Sequence, residues 1–138
     1  MYRCAFAALM AIIAVPLEAQ SVASLMRRAD SAFAAEDRVL AGQLYRRVVA
    51  IDADQSRAVY RLGVLSPNDE KALGWFKRYV VLERTDAWGW MAVGDRSLRV
   101  GLTIEAREAY QRAAMLEPKA EDVQQRIVKG RLRAAPTL

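Results

Sequence analysis

Six carboxylates are the residues best placed for acid–base chemistry: Glu36 with Asp37, Asp69 with Glu70, and Glu105 with Glu108. Two of them meeting in space would supply the paired acids of a glycosidase-type mechanism. Other catalytic equipment is missing. There is no His, and the single Cys is Cys4, which excludes Cys/His zinc sets and Ser-His or Cys-His nucleophile pairs. No Gly-rich phosphate loop, metal-ligand spacing or nucleophile elbow occurs along the chain. The six acids also fall in turns and at expected helix starts, where carboxylates suit the positive end of the helix dipole. The expectation is a protein with no catalytic residues, no metal and no cofactor, whose function rests on binding.

Basic residues form the second group. Arg46-Arg47 and Lys77-Arg78 recur in the chain, joined by Arg112, Arg126, Lys129, Arg131 and Arg133. Lys plus Arg total 21 against 16 Asp plus Glu, a formal charge of +5, which favours acidic partners through long-range attraction. Nucleic-acid surfaces interleave basic and aromatic residues on one face, and these do not. They read as the solvated side of helices, with cations toward the negative ends, and no nucleic-acid partner is expected.

The elements that position these residues follow from spacing. In the stretch from Ala87 to Pro118, Trp90, Val93 and Gly94 precede Ala106 by a helical turn and a half plus a connection, and Tyr110, Ala113 and Pro118 then follow at intervals of four, three and five. Val22 to Asp54 aligns with this stretch without a gap: Ala29 matches Gly94, Ala41 matches Ala106, Tyr45 matches Tyr110 and Val48 matches Ala113. Leu25, Ala29, Ala32 and Phe33 share one helical face, and Leu40, Leu44, Tyr45, Val48 and Ile51 another. Between the two lies a copy with Val59, Leu62, Gly63, Ala72, Phe76 and Tyr79. Gly63 and Ala72 are closer by three residues than their counterparts, and Ser66-Pro67-Asn68-Asp69 is a turn signal, so the first helix of this copy is expected to lose nearly a turn. Tyr79, larger than Ala113 at the matching position, is expected to fill the space so vacated.

The pattern resembles the tetratricopeptide repeat, whose signature runs Trp, Leu-Gly, Tyr, Ala, aromatic, Pro over about 34 residues. The resemblance implies an all-α α-solenoid of three helical hairpins, about residues 22–55, 56–86 and 87–120, within a domain of 22–133. A C-terminal helix at about 120–132 is expected to cap it, since a solenoid end needs a polar-backed cover; Gly130 should weaken its last turn, and residues 134–138 should form a disordered tail. Gly94 and Ala106 are expected where two helices cross most closely. Ser97 stands where the family has a bulky aromatic, and Glu36-Asp37 where it commonly has Gly, as at Gly101, so thinner packing and a strained turn are expected there.

At the N-terminus, Arg3 is followed by an apolar run from Cys4 to Val15, ended by Pro16. A bilayer span takes about 20 residues. The run instead resembles a signal peptide, residues 1–19, cleaved after Ala19, which would place the protein in the periplasm or cell envelope with no stable membrane span.

In tetratricopeptide proteins the first helices line a concave groove for a peptide or partner helix. The matching positions here are Met26 and Asp30; Arg57, Tyr60 and Val64; and Trp88, Met91, Asp95 and Arg99. The resemblance therefore implies a non-catalytic adaptor binding another protein, one of acidic character being favoured by charge. The alternative is a self-assembling homo-oligomer pairing through its terminal faces, Leu25 with Phe33 or Val123 with Ile127. These positions lack the Lys and Asn set with which some members clamp a terminal carboxylate.

Overall fold

A computed structural model describes residues 21–119 and 121–134; the expected signal peptide lies outside them, as does the tail beyond Ala134. The described chain is all helical: α1 Val22–Ala34, α2 Arg38–Ile51, α3 Ser56–Leu65, α4 Asp69–Leu82, α5 Ala87–Arg99, α6 Thr103–Leu116 and α7 Glu121–Ala134. Each helix packs mainly on its neighbours in the chain, α5 against α7 being the substantial contact that skips a helix. Three consecutive hairpins and a closing helix result, an α-solenoid. No helix among the described residues is long and apolar enough to cross a membrane.

Local chemistry explains the boundaries. Ser21, Asp37, Asn68 and Asp86 accept the first free backbone N–H groups of α1, α2, α4 and α5, the usual role of short polar side chains at helix starts. α1 and α5 end alike. Asp37 N donates to Ala32 O at 2.9 Å, and Leu102 N to Ser97 O at 2.8 Å, with the intervening residue in the left-handed region: Gly101 at φ 84° and Glu36 at φ 60°. The closure needs that conformation, which Gly adopts freely and a side chain only with strain.

Glycines and alanines set the helix spacing. A Cβ on Gly94 would lie 2.6 Å from the Tyr110 ring, and one on Gly63 would lie 2.7 Å from Phe76, so each aromatic of a second helix lies flat against a small residue of the first. Ala29, Ala41 and Ala106 are completely buried. Gly130 does more than loosen α7: it is buried, and a Cβ there would lie 2.3 Å from Tyr110, so its missing side chain is what lets α7 close on α6. The α7 helix runs on through Ala134.

Three expectations need correction. Tyr79 does not fill the space left by the short α3. Its ring lies over Gly89 of α5 and its hydroxyl donates to Asp86 at 2.6 Å, because at its position the side chain faces the next hairpin. Leu40 and Ile51, expected on the buried face of α2, are 41% and 59% exposed; Gly42 and Leu44 share the buried side instead. Leu25 and Ile127 are each 1% exposed, so neither offers an open end face for pairing between copies.

Candidate functional site: a concave groove

Six of the nine groove positions converge. Tyr60 and Val64 from α3 meet Trp88, Met91, Asp95 and Arg99 from α5 around one hollow of about 170 Å³, together with Phe76, Ala92 and Arg96. These positions face the same way because four residues of helix advance the side chain little more than one turn, aligning Tyr60 with Val64 and Trp88, Met91, Asp95 and Arg99 along single faces. Tyr60 packs edge-on against Phe76 and Tyr79, with ring centroids 5.4 and 5.0 Å away. Trp88 is 44% exposed at one edge. Met91 is 1% exposed, so it belongs to the core beneath the hollow and offers a partner little surface.

Arginines and aspartates are held in place around this apolar centre. Arg96 Nη1 lies 2.7 Å from Asp69 Oδ1 and Arg99 Nη1 3.6 Å from the same oxygen, while the Arg99 side chain remains 62% exposed. Arg96 also lies over the Phe76 ring. Tyr110 donates to Asp95 at 2.8 Å, fixing that carboxylate from below.

The remaining three positions lie on the first hairpin and its junction with the second. Asp30 accepts a hydrogen bond from Tyr45 at 2.7 Å and pairs with Arg57, whose side chain is 60% exposed. Burial first, then the bond to Asp30 and its negative charge, push the Tyr45 hydroxyl pKa upward, so it stays a donor well into the alkaline range. Met26 is 8% exposed and packs in the core with Leu25, Ala29 and Tyr45. It is no more a contact residue than Met91, and for the same reason: the facing hairpin covers it.

Sequence reading missed Phe76, Ala92 and Arg96 as groove residues. One signal was available for Phe76. Where the outer hairpins carry Tyr45 with Asp30 and Tyr110 with Asp95, the middle one carries Phe76 with Val64, an apolar exchange of both partners that makes the groove greasy at its centre.

The six carboxylates first singled out have structural tasks. Asp37 accepts from Leu40 N at 3.0 Å, and Asp69 holds Arg96 and Arg99. Glu105 accepts from the fully buried Ser97 hydroxyl at 2.7 Å and pairs with Lys77 at 2.9 Å. Ser97 thus replaces bulk with a hydrogen bond. Among the described residues no three acids gather as a metal-binding set.

No protein-family profile matches the sequence, and no curated protein is detectably related to it. Solved structures do match. MamA is 18% identical with a TM-score of 0.71, over 86% of this chain and 73% of that one. The fold is that of the tetratricopeptide-repeat solenoid. The first such region of Spaghetti (RPAP3), bound to an HSP90 peptide, is 16% identical with a TM-score of 0.74, over 86% of this chain and 96% of that one. The Yersinia enterocolitica type III secretion chaperone SycD, in complex with a peptide of the translocator YopD, is 14% identical with a TM-score of 0.71, over 83% of this chain and 95% of that one.

Proposed function

We propose that this protein is a non-catalytic adaptor that holds a peptide or a helix of another protein in its concave groove, and that it works in the periplasm or cell envelope. The observation that carries the reading is the hollow between α3 and α5: an apolar centre of Tyr60, Val64 and Phe76, an exposed Trp at its edge, and Arg99 beside it. Interfaces draw most of their energy from a few aromatic and Arg residues around a dry centre. Two structures of the same fold hold peptides, which supports a peptide-sized partner. The location rests on the apolar run from Cys4 to Val15 headed by Arg3.

Crosslinking the full chain in its native envelope, then identifying the captured protein, supplies the partner. Replacing Tyr60, Trp88 and Arg99 together by Ala should abolish capture while leaving helix content unchanged by circular dichroism. Undiminished capture by the triple variant would remove the groove from consideration. The mass of the exported protein tests the location: a chain beginning near Gln20 is expected, and an intact Met1 would contradict it.

Self-assembly has one observation in its favour, Val128 on α7, which is 53% exposed. Sedimentation across a range of concentrations decides it, since a persistent monomer rules it out.

A further inference from the structure

The two joints between hairpins are built differently. At the joint of the second and third hairpins, Asp69 pairs with Arg96 and Lys77 with Glu105. By repeat register, the residues matching Asp69 and Arg96 at the first joint are Arg38 and Leu65, and those matching Lys77 and Glu105 are Arg46 and Lys71. Both acids of the second joint are thus replaced by bases, and both ion pairs are lost. α3 is also the short helix, ten residues against thirteen for α1 and α5.

The consequence is an open notch of about 260 Å³ between the start of α2 and the end of α3. Val39, Leu62 and Leu65 give it apolar lining, Gly42 lies between them, and Arg38 and Arg46 flank it. Val39 is 72% exposed. Arg38 also donates to Val64 O at 3.3 Å, closing off the backbone end of α3, while Arg46 makes no ion pair among the described residues. Asp37 and Asp69, in the adjoining turns, are taken up by Leu40 N and by Arg96 and Arg99. The notch therefore combines exposed aliphatic surface with cationic charge that the chain does not neutralise.

Gly42 is an independent pointer. It sits inside α2, where Gly weakens a helix relative to Ala, yet a Cβ there would meet only the Arg46 guanidinium, at 3.7 Å. Internal packing gives no reason for it, in contrast to Gly63, Gly89, Gly94 and Gly130, each of which lies against an aromatic ring. A missing side chain beside an open notch permits close approach by another molecule.

We propose that this notch is a second docking site, separate from the concave groove, for a protein segment carrying aliphatic side chains flanked by carboxylates. Apolar contact supplies the seat, and Arg38, Arg46 and Lys71 select acidic flanks. A hydrophobic segment with basic flanks would meet like charge and be rejected.

The test uses the isotopically labelled full chain, titrated with two tetrapeptides blocked at both ends, Glu-Leu-Leu-Glu and Lys-Leu-Leu-Lys, and followed by amide chemical shifts. Saturable shifts at Gly42, Gln43, Leu62 and Leu65 are expected with the acidic peptide, and about tenfold weaker binding with the basic one, converging at high salt as screening grows. Gly42→Leu should fill the notch and abolish the shifts. Arg46→Glu, an exposed change that leaves the apolar lining intact, should weaken the acidic peptide by about tenfold and favour the basic one. Gly42→Ala serves as the folding control and should raise the melting temperature. Equal binding of the two peptides, no saturable shift, or shifts confined to Tyr60 and Trp88 in the groove would each overturn the proposal; the last would leave the groove reading standing.

Discussion

The Tyr45 hydroxyl donates to Asp30 Oδ1 across 2.7 Å, joining the second helix of the first hairpin to its first. Tyr110 and Asp95 repeat the bond in the third hairpin at 2.8 Å, and the middle hairpin has neither group, carrying Phe76 and Val64 instead. Losing one partner strands the other, whereas replacing both by apolar groups is nearly neutral. Tyr45→Phe is accordingly expected to cost about 1 kcal/mol, and Tyr45→Phe with Asp30→Val less than the two single changes added together. Denaturant unfolding of the four proteins measures the coupling; strict additivity would mean that the bond contributes nothing.

Glu36 occupies a left-handed position that Gly101 occupies in the third hairpin. Side chains pay roughly 1–2 kcal/mol for that conformation, partly offset by the greater freedom Gly loses on folding. Glu36→Gly should stabilise the protein by about 1 kcal/mol net, seen as a higher thermal midpoint. A lower midpoint would show that the Glu36 side chain makes a favourable interaction outweighing the strain.

Helix approach at Tyr110 is set by Gly94 on one contact and Gly130 on another. Gly94→Leu should cost about 1–3 kcal/mol by overpacking, with loss of the whole transition's midpoint. Gly130→Ala should act locally, pushing α7 off α6 and raising hydrogen exchange in α7 while α1 to α4 keep their protection. An unchanged midpoint for Gly94→Leu would contradict the tight crossing.

For Glu105, burial raises the carboxyl pKa, but the hydrogen bonds from Ser97 and Lys77, with the Lys77 charge, outweigh it and hold the group below its ordinary 4.5. The folded value lies below the unfolded one. The stabilisation is therefore present above about pH 4.5 and is lost as pH falls through the folded value. Wild type and Glu105→Gln should differ in melting temperature near neutrality and converge in acid. A difference that stays constant down to pH 3 would remove the carboxylate from the account.

Much of the architecture was legible because it depends on short-range spacing. The intervals linking Gly94, Ala106, Tyr110 and Ala113 describe two helices crossing at a small residue, and a ring does lie against that residue. The short α3 was legible from the closeness of Gly63 to Ala72. What filled the gap was not, since Tyr79 at its helical position can face backward or forward, and only the packing of Gly89 shows which. Met26 and Met91 were placed in the groove by register alone. Register assigns a direction along a helix face, whereas burial depends on how closely the facing hairpin approaches. The Glu36 strain was readable because one turn, compared with its copy, lacked a glycine.

Packing in which nearly every helix touches only its chain neighbours also fixes how the molecule yields to force. A tension applied at the ends is borne in series, with no long-range strand pairing to share it. The series has a weak link: the joint between α2 and α3 has neither the Asp69–Arg96 nor the Lys77–Glu105 type of tie that secures the next joint. Under load the first hairpin would peel away there as a unit, leaving the groove-bearing remainder assembled and able to keep its cargo.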